Sequence, residues 1–164
     1  LYAERVGGLA NAATNLAETL AKCHEVHYFT RGQVPDQTIN NVFYHYCQPR
    51  GNNIVEYCDS MSRGMVENFF RFDTHQRFDY LHFNDWHAVQ ALHELRDRNT
   101  ILTYHSTEFG RNGNQYGNWW EYKEISGKEW YGGLIAKRVT AVSATLKAPA
   151  AASAEYSPSE WPAT

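Results

Sequence analysis

Apolar residues recur at two different periods along this chain, and the change of period marks its elements. Leu9, Ala13, Leu16 and Leu20 follow one another at helical spacing directly after Gly7-Gly8, so a glycine turn feeds a helix. The strand that should precede such a turn is not visible. "EVHYF" (25–29) and "VFYHY" (42–46) are short aromatic and β-branched runs that predict strands. The join "AKCHEV" is shorter than a usual helix-to-strand connection and lacks a capping glycine, which suggests residues missing near 23–24. Ile54, Met61, Met65, Phe69 and Phe72 mark one face of a long helix and read as a core stripe. "FDYLHF" (78–83) and "NTILTY" (99–104) predict two further strands around a helix from about Ala88 to Arg98. A last helix carries Trp119, Trp130 and Leu134, and "RVTAV" (138–142) predicts the final strand.

Strands therefore alternate with helices, an order that implies right-handed β-α-β crossovers and a parallel sheet covered on both faces. The expected fold is α/β, a Rossmann-like three-layer domain whose first strand is missing, over residues 1–147. Residues 148–164, "APAAASAEYSPSEWPAT" from Ala148, replace periodic pattern with alanine and proline and read as a tail or the start of a further helix. In open α/β sheets, ligands bind outside the carboxyl ends of the strands. Three stretches fall there: Gly7-Gly8, "HFNDWHA" (82–88) and "YHSTEFGRNGN" (104–114).

Composition narrows the function classes. At 43% hydrophobic, 20% charged and a net charge of -3, the chain reads as a soluble and cytoplasmic globular protein with no basic surface for nucleic acid. No apolar run approaches the roughly 20 residues of a membrane span, and no signal-peptide pattern opens it. Cys23, Cys47 and Cys58 are odd in number and lack C-x-x-C spacing, so they read as buried free thiols. Aromatic content is high at 15%, much of it Tyr and Trp, which offer sugars a flat apolar face with a polar tip.

The glycine pair lets backbone N–H groups approach an anion, but "RVGGLANA" is not the G-x-G-x-x-G of a dinucleotide site. In "HFNDWHA", Asp85 is placed to cap the following helix, Trp86 to pack, and His87 to hydrogen-bond a polyol or phosphate in the crevice. His82 and His87 lack the i, i+4 spacing of helical metal ligands, so no metal is expected. "YHSTEFGRNGN" leaves its strand with His105, Ser106 and Thr107 and continues as a polar, mobile loop in which Arg111 is a candidate anion contact. Adjacent His105 and Ser106 do not make a hydrolase pair, and no G-x-S-x-G elbow is present.

Four blocks in order, "VGGLANAATNLAETLAK...HEVHYFTRG", "FDYLHFNDWHA", "LTYHSTEFGRNGN" and "GKEWYGGLIAKRVTAVSATLK", resemble the N-terminal half of retaining GT-B glycosyltransferases. The chain looks most like glycosyltransferase family 4, including its glycogen and starch synthase-like members, over about residues 5 to 147. The resemblance implies a two-domain enzyme that moves a sugar from a nucleotide-sugar to a carbohydrate acceptor. The present half would serve the acceptor, and the absent C-terminal domain, with its basic residues and E-x7-E pair, would hold the donor. An isolated half would then be inactive. The resemblance further implies no cofactor and no metal, the nucleotide-sugar being a co-substrate. Matched by position, Gly7 and Gly8 correspond to a glycine loop near the donor phosphates. His87 corresponds to the histidine of a D-W-H block and His105 to the histidine after the next strand, near the transferred sugar; these two are the expected catalytic residues. Asp85, Trp86, Ser106 and Arg111 are expected around the substrate, and Ser143 is expected to cap the helix that follows it.

Two rival readings rest on the same residues. Trp86, Trp119, Trp120 and Trp130 with nearby polar groups suggest a stand-alone carbohydrate-binding module, although such modules favour β-sandwiches. An NAD-dependent Rossmann enzyme would need a strand, G-x-G-x-x-G and an acidic residue about 20 positions on, a set the chain lacks.

Overall fold

Helix α1 (Gly8–Leu20) opens the computed structural model, which describes residues 8–75, 77–143 and 146. These fall into two units, the first ending at Asp79 and the second beginning at Tyr80. The buried stripe of α1 is not its leucines. Ala13, Thr14 and Ala17 face the core, whereas Leu16 and Leu20 are 41% and 42% exposed. Ala17 and Ala21 instead meet Val42 and Tyr44, with Tyr28 and Tyr46 packed alongside, and these large rings leave room for little beyond a methyl group. Cys23 and His24 both donate to the Leu20 carbonyl, at 3.0 and 2.9 Å, so residues 21–25 form a closed turn into the sheet.

Strands β1 (Val26–Arg31) and β3 (Val42–Cys47) pair in parallel, and β2 (Gln37–Ile39), absent from the sequence reading, lies antiparallel on β3 in the order β1-β3-β2. Its turn is Asn40-Asn41, with φ of 51° and 64°, the two left-handed residues of a tight hairpin. Helix α2 (Ile54–Phe72) begins reciprocally: Asn53 accepts from the Glu56 N–H, and Glu56 accepts from the Asn52 N–H, both at 2.9 Å. It buries Val55, Cys58, Ser62, Val66 and Phe69, a stripe rotated from the expected one, and leaves Ile54 49% exposed. None of the three cysteines is in a disulfide; Cys58 is buried and Cys47 half-buried, with burial pushing the Cys47 thiol up to about 11, and Cys23, contrary to expectation, is exposed.

A chain of polar contacts crosses this sheet. Glu25 Oε1 lies 2.9 Å from His27 Nε2, His27 Nδ1 lies 2.8 Å from His45 Nε2, and His45 Nδ1 lies 2.8 Å from Asp36 Oδ2. Three hydrogen bonds need three protons, and two neutral imidazoles supply two. The Glu25 carboxylate can only accept, so His27 donates to it from Nε2; burial lowers the His27 pKa, with Glu25 opposing and His45 and Arg77 assisting. Nitrogen-15 NMR of the rings is expected to find the proton of His27 on Nε2. His27→Leu leaves the buried His45 nitrogen unpaired and should cost about 1–3 kcal/mol in urea unfolding; an unchanged midpoint would mean that water replaces the ring.

In the second unit, β4 (Leu81–Asn84), β5 (Thr100–Tyr104) and β6 (Arg138–Ala141) pair in parallel in the order β4-β5-β6. Between β4 and β5 come a 3₁₀ turn (Trp86–Ala88) and a short helix α3 (Val89–Glu94); between β5 and β6 come α4 (Glu108–Arg111) and α5 (Trp120–Ile135). Leu92 and Leu102 are completely buried. Helix α5 approaches so closely at Gly132 that a Cβ there would stand 2.7 Å from Val89 Cγ2 and 3.0 Å from Leu102 Cδ2. The alternate residues of the strands make a polar row: His82 Nε2 is 2.6 Å from Thr103 Oγ1, which is 2.7 Å from Thr140 Oγ1. The fold is thus α/β and Rossmann-like, with an all-parallel three-stranded sheet in the second unit and, in the first, a separate sheet whose parallel pair carries one antiparallel edge strand, where the sequence suggested a single parallel sheet. No helix among the described residues is long and apolar enough to cross a membrane.

Candidate active site

Parallel pairing brings the carboxyl ends of β4 and β5 together, with Asn84 opposite Thr103. The Asp85 N–H continues the ladder by donating to the Thr103 carbonyl at 2.9 Å. The backbone then turns sharply: Asp85 has φ 53° and ψ -175°, close to a region that is essentially glycine's and that costs about 1–3 kcal/mol for other residues. Its side chain does not cap the next turn. An N-cap residue needs extended φ, and the positive φ sends the buried carboxylate to β5 instead, where Oδ1 accepts from the His105 N–H at 2.6 Å and the Ser106 N–H at 3.4 Å. Burial raises the Asp85 pKa, and those two N–H groups and Arg111 pull it back.

The His105 ring is fixed by a second contact, Nε2 to Asn84 Oδ1 at 2.9 Å. With the amide oxygen as acceptor, the network assigns the imidazole proton to Nε2 and leaves Nδ1 to accept a hydroxyl. The half-buried His87 ring stacks on Trp86 at 4.5 Å and 24°. Trp86 is only 3% exposed, and its Nε1 is buried without a hydrogen-bond partner among the described residues. It supports His87 and offers a sugar no open face.

The stretch after His105 is built, although the sequence suggested a mobile loop. Thr107 accepts from the Gly110 N–H at 3.1 Å and caps α4. The Glu108 N–H donates to both carboxylate oxygens of Glu129 on α5, at 2.8 and 3.0 Å. Arg111 is turned onto this helix, 2.7 Å from Glu108 and 4.0 Å from Glu129. Burial pushes Glu129 up to about 8, with the Glu108 N–H and Arg111 opposing. Neither Asn84 nor Glu129 is singled out by the sequence; Asn84 carries a weak signal in its place beside Asp85 at the strand end, and Glu129 carries none.

Asp85, Ser106, His105, Trp86 and His87 are thus gathered at one sheet end in the second unit. Gly8 lies in the first unit as the first residue of α1, where an added Cβ would meet nothing within 4 Å, and Gly7 lies outside the described residues. Ser143 Oγ accepts from the Leu146 N–H at 3.3 Å, the capping contact expected of it. Among the described residues no group of three or more His, Cys, Asp or Glu could hold a metal ion.

A family model described as Glycosyltransferase Family 4 matches residues 6–159, nearly the entire chain. The chain belongs to glycosyltransferase family 4. None of the curated proteins compared with it matches. The family 4 match runs beyond residue 147 into the tail, which lies outside the described residues. The strand end that carries Asn84, Asp85 and His105 therefore belongs to a glycosyltransferase domain.

Proposed function

We propose that this domain forms the acceptor-side half of a retaining glycosyltransferase that moves a sugar from a nucleotide-sugar to a glycan or other acceptor. The observation that carries the reading is the fixed imidazole of His105 at the carboxyl end of a parallel strand, where α/β sheets bind ligands. Glycosyl transfer passes through an oxocarbenium-like state while a phosphate leaves. The sugar side of such a site calls for dipolar groups that position hydroxyls without competing for the cationic carbon. His105 Nδ1 suits a sugar hydroxyl, and His87 borders the same rim. The leaving phosphate needs positive potential, which a C-terminal domain with basic residues would supply. This half by itself is therefore expected to be inactive.

The test uses the full-length enzyme with nucleotide-sugars. His105→Ala should lower turnover by about 10²–10³-fold, the usual cost of one preorganised polar group, while the thermal midpoint stays near that of the parent. Wild-type turnover in the variant would remove His105 from the site. Product NMR that finds the anomeric configuration inverted would remove the retaining mechanism.

A further inference from the structure

The four tryptophans that suggested sugar binding divide in the structure. Trp86 is buried and Trp130 half-buried, whereas Trp119 and Trp120 are 43% and 49% exposed beside Tyr116, which is 81% exposed. These three rings lie within five consecutive residues that run from the α4 segment into α5. We propose that Tyr116, Trp119 and Trp120 form a stacking platform for a neutral oligosaccharide, the acceptor chain of the transfer. The inference rests on the glycosyltransferase reading above and adds to it the acceptor's chemical class.

The loop is constructed to hold rings outward. Gly113 and Asn114 turn the chain with φ of 67° and 60°, the Asn114 N–H donates to the Phe109 carbonyl at 3.0 Å, and the Asn112 amide donates to the Gln115 carbonyl at 2.7 Å. Tyr116 rests on Phe109, with ring centres 5.0 Å apart, and Trp119 meets the buried Tyr122 edge-on at 5.2 Å. Gly117 completes the seat, since a Cβ there would stand 2.5 Å from the Trp119 ring and 2.6 Å from Tyr122. Exposed aromatic rings in a loop tied down at this many points are not the side chains of a frayed segment.

The surroundings select the ligand. From Asn112 to Trp120 the sequence is NGNQYGNWW, nine residues without a charge, in which every polar side chain other than the tyrosine hydroxyl is an amide. A pyranose presents a weakly apolar C–H face to a ring and hydroxyls around its rim, and amides both donate to and accept from those hydroxyls. An anionic membrane would call for lysine or arginine among the rings, and the loop has none.

The test titrates full-length enzyme with maltoheptaose, cellohexaose and mannohexaose, following tryptophan fluorescence and calorimetry without donor. At least one of them should bind, and Tyr116→Ala, which removes little packing, should weaken it about tenfold, the scale of one aromatic contact. Trp119→Phe should retain most of the binding that Trp119→Ala loses. The KM for that acceptor should rise in parallel, while kcat and hydrolysis of the nucleotide-sugar by water stay unchanged. Failure of all three oligosaccharides to bind, or binding indifferent to Tyr116 and Trp119, would overturn the platform. So would variants that lose sedimentation with phosphatidylserine vesicles and keep sugar binding. Loss of the glycosyltransferase reading is recognised separately, because the parent protein would then leave every nucleotide-sugar intact whatever the titration finds.

Discussion

Asp85→Ala is expected to abolish most activity and to destabilise the fold, and Asp85→Gly to abolish the same activity at a smaller cost in stability. Removing the carboxylate strips the acceptor from the His105 and Ser106 N–H groups in a site where Asp85 itself is 3% exposed. An unpaired buried donor costs about 1–3 kcal/mol. The alanine variant keeps the φ of 53° that suits glycine, whereas the glycine variant relieves it, so the glycine variant should be more stable than the alanine one by about 1–2 kcal/mol. Both lose the anchor of His105, and a displacement of about 1 Å at a catalytic group costs on the order of 100-fold in rate. Urea unfolding with initial rates on the full-length enzyme checks both parts. Equal stability of the two variants would show that no strain is stored at this residue, and activity within tenfold of the parent would show that the carboxylate does not position His105.

Glu129→Gln carries the largest expected effect on stability against pH. Its carboxyl has a pKa near 4.5 in the unfolded chain and about 8 in the fold. Between these values the folded state holds a proton that the unfolded state has released, so stability falls as pH rises from about 4.5 to 8 and is level above that. At about 1.4 kcal/mol per unit, the difference of 3.5 units amounts to roughly 5 kcal/mol at pH 9. Glutamine keeps an oxygen for the Glu108 N–H and never ionises. The variant should therefore be more stable than the parent above pH 5, increasingly so up to pH 8, and should lose that part of the slope. A parent and variant with parallel stability profiles between pH 5 and 9 would mean that Glu129 is ionised in the fold, held by Arg111.

The elements were legible where local pattern and final burial coincide. "VFYHY" and "NTILTY" became strands because aromatic and β-branched side chains suit a pleated surface, and Leu102 at the centre of the second is completely buried. β2 escaped because three residues, two of them polar, give no periodicity; its only signal was Asn40-Asn41, a pair that tolerates left-handed φ. The helices were legible as helices but not in their orientation. Alanines rather than leucines face the sheet in α1 because the facing tyrosine rings occupy the volume, which is a property of the partner strand. The site divides in the same way. Strand ends can be read from sequence, and with them His105 and Asp85. What Asp85 does cannot, because its acceptor role depends on which N–H groups parallel pairing sets beside it, 20 residues further along the chain. Glu129 lies beyond such reading altogether, since its neighbours are fixed by where α5 crosses the sheet at Gly132.

Two carboxyl groups anchor the segment after β5, Asp85 at residues 105 and 106 and Glu129 at residue 108, and the turn at 112–115 is tied to itself. The conformational entropy of this segment is therefore surrendered when the chain folds and not when a ligand arrives. A preorganised surface of this kind gains affinity without additional contacts, and it also limits the ligand shapes it accepts, because little of it can rearrange to meet a poor fit.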